Sequence, residues 1–381
     1  MILVINSGSS SIKYKVFKKK RETLLARGTV DRIGLKGYPP DHSAAIRLIL
    51  KRLTDKNRGA LKDLSQIRAV GHRVVHGGER FKESVKITAG VIREIERFSR
   101  LAPLHNPPNL LGIKACRRFL PKVPQAAVFD TAFYQTLPEA HYIYAIPYGL
   151  YKRYGIRRYG FHGTSHKYVA IKTAEALNKR IADLKIITCH LGNGCSVTAT
   201  ANGKAVDTSM GFTPLEGLVM GTRCGDIDPA AVFYLMEKRG VGLKAAGELL
   251  NKRSGLLGIS GISSDMRDIY KAVKKGDRRA RLSFDIFIHR IHKYIGAFAA
   301  IMNGAGAITF TGGIGENHPP TRKRVCENLG FLGVKIDNKK NSSNAAVISK
   351  PDSGVKVLVI PTDEELMIAK ETKELIVQLR H

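Results

Sequence analysis

The chain has 381 residues, 43% hydrophobic and 25% charged, with 63 Lys and Arg against 32 Asp and Glu, a formal net charge of +31. That length supports two domains with sizeable cores, and the composition is that of a globular protein, not of a fibrous or disordered one. The basic residues are scattered (Lys18 to Arg21, Arg117-Arg118, Lys274-Lys275, Lys339-Lys340), none of these runs is interleaved with aromatics, and Trp is absent. The charge therefore reads as solvated surface, and no specific nucleic-acid partner is expected.

In chain order, an apolar run ending at Ile5 predicts a strand. Asn6-Ser7-Gly8-Ser9-Ser10-Ser11 turns it into a second strand, Tyr14 to Phe17. Ile67 to Val75 predicts another strand, Ser99 to Asn109 (with Pro103, Pro107 and Pro108) a loop, and Ala126 to Phe129 a short buried strand. Tyr168 to Asn178 reads as helix and Lys185 to Cys189 as a strand; Gly192-Asn193-Gly194 turns that strand into Val197 to Thr200. Phe284, Ile288, Ile291, Ile295, Phe298 and Met302 are spaced as one apolar helix stripe. Ile308 to Thr311 and Val357 to Ile360 predict strands, and Thr362-Asp363-Glu364-Glu365 has the form of a capping box opening a last helix. Strands alternating with helices place the chain in the α/β class.

The 21 residues Ile295 to Gly315 carry no charge and could span a membrane, but six glycines and Asn303 make a buried core segment the expectation. The chain starts directly as a strand, without a basic n-region or cleavage site, so no signal peptide is expected. The five cysteines form no CxxC pair, which fits reduced thiols in a cytoplasm.

Several segments carry candidate chemistry. The turns at Gly8 and Gly192 lie 184 positions apart, and both are rich in small residues that expose backbone N–H groups to a phosphate. They read either as ordinary hairpins or as one phosphate-binding turn per copy of a duplicated domain. Gly312-Gly313-Ile314-Gly315 after a strand is a third phosphate or nucleotide contact; it matches neither GxGxxG nor the GxxxxGK[ST] loop. Arg73, inside an otherwise apolar strand, is either a structural ion pair or a fork for a carboxylate or phosphate. His162 and His166, four apart, suit zinc or a helix start with one histidine in a cleft. Arg223, between glycines and beside Asp226 and Asp228, reads as a loop salt bridge or as a mobile arginine for a transferring phosphoryl group.

Together these segments closely resemble the acetate kinase family over nearly the whole chain. The matching motifs are Val4 to Ser11, Gly71 to Glu79, Leu101 to Pro107, Phe129 to Phe133, Arg157 to His166, His190 to Ser196, Asp207 to Pro229, Ser263 to Arg267, Phe310 to Asn317 and Ile360 to Leu366. The chain is compact between Lys13 and Arg73 compared with typical members, and Cys195 and Cys224 replace residues commonly Ala or Ser. Both cysteines adjoin site residues, so sensitivity to thiol reagents is expected.

The resemblance implies two duplicated actin-like (ribonuclease H-like) domains with a nucleotide cleft between them. The first would comprise 1–132 and 366–381, on the acyl-substrate side; the second, 133–365, would bind nucleotide and form a homodimer. It implies reversible, Mg²⁺- or Mn²⁺-dependent transfer of the ATP γ-phosphoryl to acetate by direct in-line transfer, in the cytoplasm and without a membrane partner. Propionate or butyrate kinase, or a non-catalytic actin-like ATP-binding module, are the alternatives.

By the same resemblance Asp130, His162 and Arg223 are catalytic, the last two stabilising the in-flight phosphoryl. Asp130 is expected to orient a metal or an arginine, since an acetate carboxylate is already ionised near pH 7 and no proton need move. Arg73 would hold the acetate carboxylate, His105 would support the substrate end, and Val75, Leu104, Phe161 and Pro214 would hold the methyl. Nucleotide-binding residues would be Lys13, His190, Leu191, Gly192, Asn193, Gly194, Asp265, Met266, Arg267, Gly313, Ile314, Gly315, Glu316 and Asn317, with Asn6 and Glu364 at the metal.

Overall fold

The structure, a computed structural model, describes residues 1–18 and 22–378. It divides into two compact units: Met1–Gln135, Gly163–Ser165 and the segment from Asp363 onward form one, and Thr136–His162 with His166–Thr362 the other.

Each unit is built on a sheet of the same topology. In the first, β1 (Ile2–Ser7), β2 (Ile12–Phe17) and β3 (Leu24–Val30) form an antiparallel meander. β4 (Ala69–Val74) then pairs parallel with β1, and β6 (Gln125–Phe129) parallel with β4. The two-residue strand β5 (Val85–Lys86) adds an edge, giving the order β3-β2-β1-β4-β6-β5. In the second unit β7 (Lys185–Leu191), β8 (Cys195–Ala201) and β9 (Lys204–Thr208) repeat the meander, and β10 (Ala307–Thr311) and β11 (Lys356–Val359) repeat the parallel pair, in the order β11-β10-β7-β8-β9. Both glycine turns of the sequence thus occupy the same place, the hairpin between the first two strands of each sheet. The fold is a duplicated actin-like α/β architecture.

Period-two alternation along β1 sends Leu3 and Ile5 to one face and Ile2 and Val4 to the other. Leu3 and Ile5 pack with Ile46 and Ile49 of the helix His42–Leu53 and with Ala115 and Cys116 of the helix Asn106–Phe119. Ile2 and Val4 pack with Ile368, Ala369 and Ile376 of the helix Glu364–Gln378. In the second unit the apolar stripe lies on the 24-residue helix Arg278–Ile301, which buries Phe284, Ile288, Ile291, Ile295 and Phe298. The uncharged stretch that follows supplies the buried strand β10.

Two expectations are corrected. Helix Asn106–Phe119 starts inside the stretch read as loop, because Pro107 and Pro108 fall at its first turn, where a missing N–H costs nothing. The last helix begins at Glu364, and its N-terminal N–H groups are met by Asp363, whose Oδ1 accepts from Leu366 N at 2.9 Å. The reciprocal half of the expected box is replaced: Thr362 N donates to Glu316 Oε1 at 3.1 Å, and Glu365 pairs with Lys15 at 3.1 Å.

His72 is 1% exposed in β4, its Nε2 2.9 Å from Gln125 Oε1, and burial pushes its pKa down to about 4. The unfolded chain binds a proton near pH 6.5 that the folded chain refuses until about 4. Stability should therefore fall as pH drops through that window, by at most about 3 kcal/mol from this group. Urea unfolding from pH 7 to 4 checks this: a His72→Gln variant is expected to show a shallower loss.

Candidate active site

In the first unit, Val4 in β1 lies level with Gly71 in β4, and Arg73 lies level with Val128 in β6. One step further along the face covered by helix Glu364–Gln378, alternation places Asn6 and Arg73, with Asp130 just beyond β6; Lys13 lies opposite Asn6 on β2. Asp130 is 1% exposed and takes the Nε–Nη2 edge of Arg73, with Arg73 Nε donating at 3.1–3.2 Å and Nη2 at 2.6 Å. Thr164 Oγ1 donates to Asp130 Oδ1 at 3.1 Å. Glu364 Oε2 stands 3.8 Å from Arg73 Nε. Burial works against the Arg73 charge, but Asp130 and Glu364 outweigh it and hold the guanidinium pKa above its ordinary value. Burial, then Asp130 and Glu365, push the Glu364 carboxyl up to about 7 against the pull of Arg73 and Lys13. Lys15 fastens the turn that carries Glu364, reaching Asp363 at 2.8 Å and Glu365 at 3.1 Å.

In the second unit His162, His190 and Arg223 cluster. His162 and His190 stack at 4.4 Å between ring centroids. His162 Nδ1 and His166 Nε2 both bond Ser196 Oγ, at 2.9 and 2.8 Å. A hydroxyl has one proton to give, so one of the two imidazoles must donate to it. Burial first, then His190, depress the His166 pKa well below the ordinary value. A neutral His166 can take the serine proton, leaving His162 free to donate from Nδ1. Among the described residues no group of three or more His, Cys, Asp or Glu side chains could hold a metal ion.

Among the described residues Arg223, unlike Arg73, has no carboxylate partner. Its Nη1 meets the Pro214 carbonyl, at 3.3 Å, and Met220 Sδ, at 3.6 Å, and burial lowers its pKa. Its loop is tied to its surroundings: Met220 N donates to Arg223 O, Ser254 N to Thr222 O, Leu257 N to Gly221 O and Cys224 N to Leu250 O, all at 3.0–3.1 Å. His162 and Arg223 converge at Gly194. A methyl group built on Gly194 would stand 3.4 Å from His162 Nε2 and 3.6 Å from Arg223 Nη1.

Beside this point is a cavity of about 560 Å³, lined by Gly192, Asn193, Ser264, Asp265, Met266, Arg267, Gly313, Ile314, Asn317 and His318. That volume is within the range of cofactor sites, about 300–1,000 Å³. The glycine turns meet there: a Cβ on Gly192 would lie 3.9 Å from Gly313 N, whereas one on Gly313 would touch nothing within 4 Å. Gly312 has φ +77°, and a Cβ there would come 2.7 Å from Leu191 O, so only glycine lets β10 turn into the short helix Gly312–Asn317. The side-chain hydrogen bond from Arg267 holds the Asp265 pKa down at about 2.

Eight of the expected nucleotide residues line this cavity. Lys13 lies in the first unit; Leu191 and Gly315 are buried. Glu316 accepts from Gly312 N at 2.9 Å and Thr362 N at 3.1 Å, which makes it a structural cap. Val75 and Phe161 are buried and Pro214 is half-buried, whereas Leu104 is 66% exposed. His105 is half-buried and is the residue at which helix Asn106–Phe119 starts.

Sequence reasoning missed the supports. Asn109 accepts from Val75 N at 3.1 Å and donates to Ser7 O at 2.7 Å; Asn106 accepts from His76 N at 3.0 Å. Arg322, fully buried, donates to the Gly315 and Glu316 carbonyls at 2.8 and 2.9 Å and to Asn341. Its only signal was an arginine in a polar helix. Cys195 is buried, its Sγ donates to Gly192 O at 3.1 Å, and burial pushes its pKa up to about 12; Cys224 is also shifted up by burial. Thiolates are the reactive form. The expected thiol sensitivity is therefore revised: folded protein treated with a maleimide near pH 7 should keep most of its activity, with Cys195 unlabelled by mass spectrometry.

Two sheets of one topology, a histidine and an arginine converging on a glycine turn beside a cavity, and an arginine with one edge held by a buried aspartate fit a phosphotransferase of the actin-like class with a carboxyl group as acceptor. The chain matches the acetokinase family over residues 36–370. It is 57% identical to the acetate kinase of Thermotoga maritima, with 98% of each chain aligned, and 56% identical to that of Alkaliphilus metalliredigens, covering 98% of this chain and 100% of that one. Among solved structures, Porphyromonas gingivalis acetate kinase superposes with a TM-score of 0.95 at 48% identity, covering 98% and 99% of the two chains. A propionate kinase from Francisella tularensis superposes with a TM-score of 0.92 at 43% identity, with the same coverage. The chain belongs to the acetokinase family.

Proposed function

We propose that this chain is an acetate kinase, transferring the γ-phosphoryl group of ATP to acetate to give acetyl phosphate and ADP, and catalysing the reverse. The observation that carries this reading is the convergence of His162 and Arg223 on Gly194, beside the cavity that takes the nucleotide. The acceptor carboxylate is already anionic at neutral pH, so catalysis rests on positioning and on neutralising charge.

Arg73 binds the acetate carboxylate. Asp130 occupies its Nε–Nη2 edge, which leaves the Nη1–Nη2 edge as a second fork. His162 and Arg223 stabilise the equatorial oxygens of the moving phosphoryl. The exposed Gly313 and the turn Gly192 to Gly194 hold the nucleotide phosphates through backbone N–H groups, and Asp265 to Arg267 its nucleoside end. The first unit thus serves the acyl substrate and the second the nucleotide. Val75, with its N–H fixed by Asn109, is the first unit's contact for the acyl methyl.

Asn6 and Glu364 offer hard oxygens on one face of the first sheet, a donor set that suits Mg²⁺ or Mn²⁺, ions commonly held by one or two carboxylates plus substrate phosphates. The buried, crowded Glu364 carboxyl would gain from a nearby cation. When bound, the metal would neutralise phosphate charge.

Five free cysteines fit a cytoplasmic location, and no described helix is long and apolar enough to cross a membrane. Phe233, Tyr234 and Leu243, on the helices Pro229–Arg239 and Leu243–Lys252 of the second unit, are 69%, 62% and 81% exposed, and such exposed apolar side chains support a homodimer.

The likeness to a propionate kinase favours one second reading. Initial rates of acyl phosphate formation with acetate, propionate and butyrate, with and without Mg²⁺-ATP, separate them. Acetate should have the highest kcat/KM, with propionate disfavoured by about 10–200-fold. A higher kcat/KM for propionate would overturn the acetate assignment, and no acyl phosphate from any of them would overturn the function.

A further inference from the structure

The side-chain contacts of Arg223 are too weak to fix its place, so the loop that carries it must do so. That loop closes on itself at Gly217 and Asp226. Asp226 N donates to Gly217 O at 3.0 Å, and Gly217 N donates to Asp226 Oδ1 at 2.8 Å. Gly225, with φ +71°, permits the closure, since a Cβ there would come 2.4 Å from Leu218 O. The Asp226 carboxylate also accepts from Tyr294 Oη, at 3.1 Å to Oδ1 and 2.9 Å to Oδ2, and from Arg290 Nη1 at 3.3 Å; Arg290 Nη2 donates to Asp226 O at 3.1 Å. Both partners project from helix Arg278–Ile301, whose Ile291, Ile295 and Phe298 are buried in the core.

We propose that Asp226 is a positioning residue for phosphoryl transfer: it locks the Gly217–Asp226 loop to the central helix of the second unit and so sets the place of the Arg223 guanidinium. This rests on the reading of Arg223 as the cation that stabilises the moving phosphoryl. A rigid mount is what an unpaired cation needs, because a displacement near 1 Å costs on the order of 100-fold in rate.

The test uses the full chain with Asp226→Asn, which keeps one acceptor for Gly217 but loses the charge and one oxygen, and with Tyr294→Phe, which keeps the ring packed on Phe298. The first should lower kcat about 10–100-fold and the second about 3–10-fold, with KM for ATP and for acetate within about 3-fold of the parent. On an Arg223→Ala background, Asp226→Asn should cost less than about 2-fold, because the group it positions is gone. Thermal melts show that the assayed variants are folded; if Asp226→Asn does not fold, Tyr294→Phe carries the test. An unchanged kcat in a folded variant, KM rises equal to the kcat loss, or the same fold-loss on the Arg223→Ala background would overturn the proposal. If Arg223→Ala itself keeps its kcat, the reading of Arg223 fails instead; if it loses kcat while both loop variants keep theirs, only the positioning role of Asp226 fails.

Discussion

Arg223→Ala is expected to lower kcat by about 10³–10⁵-fold, the range seen when an arginine stabilising a transferring phosphoryl is removed. Among the described residues Arg223 has no carboxylate to answer, only a carbonyl and a thioether. A half-buried cation with weak acceptors has given up much of its hydration without a compensating ion pair, so its largest electrostatic gain comes when phosphoryl charge arrives. The KM for acetate should change less than about 3-fold, because Arg73 and not Arg223 meets the carboxylate. Thermal stability should hold or rise slightly, since removing an uncompensated charge relieves a cost. Arg223→Lys should recover little, because an ammonium cannot reproduce the planar fork. Steady-state rates in both directions and a thermal melt check all four points; for Arg223→Ala, a kcat within 10-fold of the parent would end the assignment.

The contrast between the two arginines also shows what the sequence discloses. Both occur in glycine-rich or apolar surroundings, and composition alone leaves each as ion pair or fork. Tertiary pairing separates them: Asp130, 57 positions away, takes one edge of Arg73, and among the described residues nothing acidic reaches Arg223. The inner strands and their turns were legible because they depend on local pattern; the edge strands Leu24–Val30, Val85–Lys86 and Lys204–Thr208 were not. The hairpins at Gly8 and Gly192 and the stripe on helix Arg278–Ile301 all form where periodicity puts them. Supports such as Asn109, Ser196, Asp226 and Arg322 were not legible, since a buried polar residue is explained only by the partner it meets, and those partners lie up to 102 positions away. The loop expected at 99–109 failed for a local reason: prolines that break a helix interior are at home in its first turn.

Asp130→Asn should lower activity by about 10²–10³-fold at every pH, with both limbs of the pH–rate profile kept. The argument starts from the acceptor. A carboxylate with a pKa below about 5 reaches the site ionised, so a residue that removes its proton has nothing to do. The geometry then gives Asp130 other work. Its two oxygens take the Nε and Nη2 hydrogens of Arg73 while Thr164 Oγ1 donates to Oδ1, so the carboxylate is saturated by donors and faces the guanidinium edge-on. An asparagine in the same rotamer would turn an N–H₂ group toward Thr164 or toward Arg73, replacing an attraction by donor against donor. Arg73 would then swing or settle on Glu364, already 3.8 Å away, and its free fork would no longer aim at acetate. The loss should therefore appear in both kcat and the KM for acetate, with a lower melting temperature from the weakened buried pair. A Thr164→Val variant, which removes only the donor to Oδ1, should show the same pattern at smaller size. If Asp130→Asn instead deletes one limb of the profile and leaves the KM for acetate unchanged, Asp130 moves a proton, and the Arg73 fork is not what it supports.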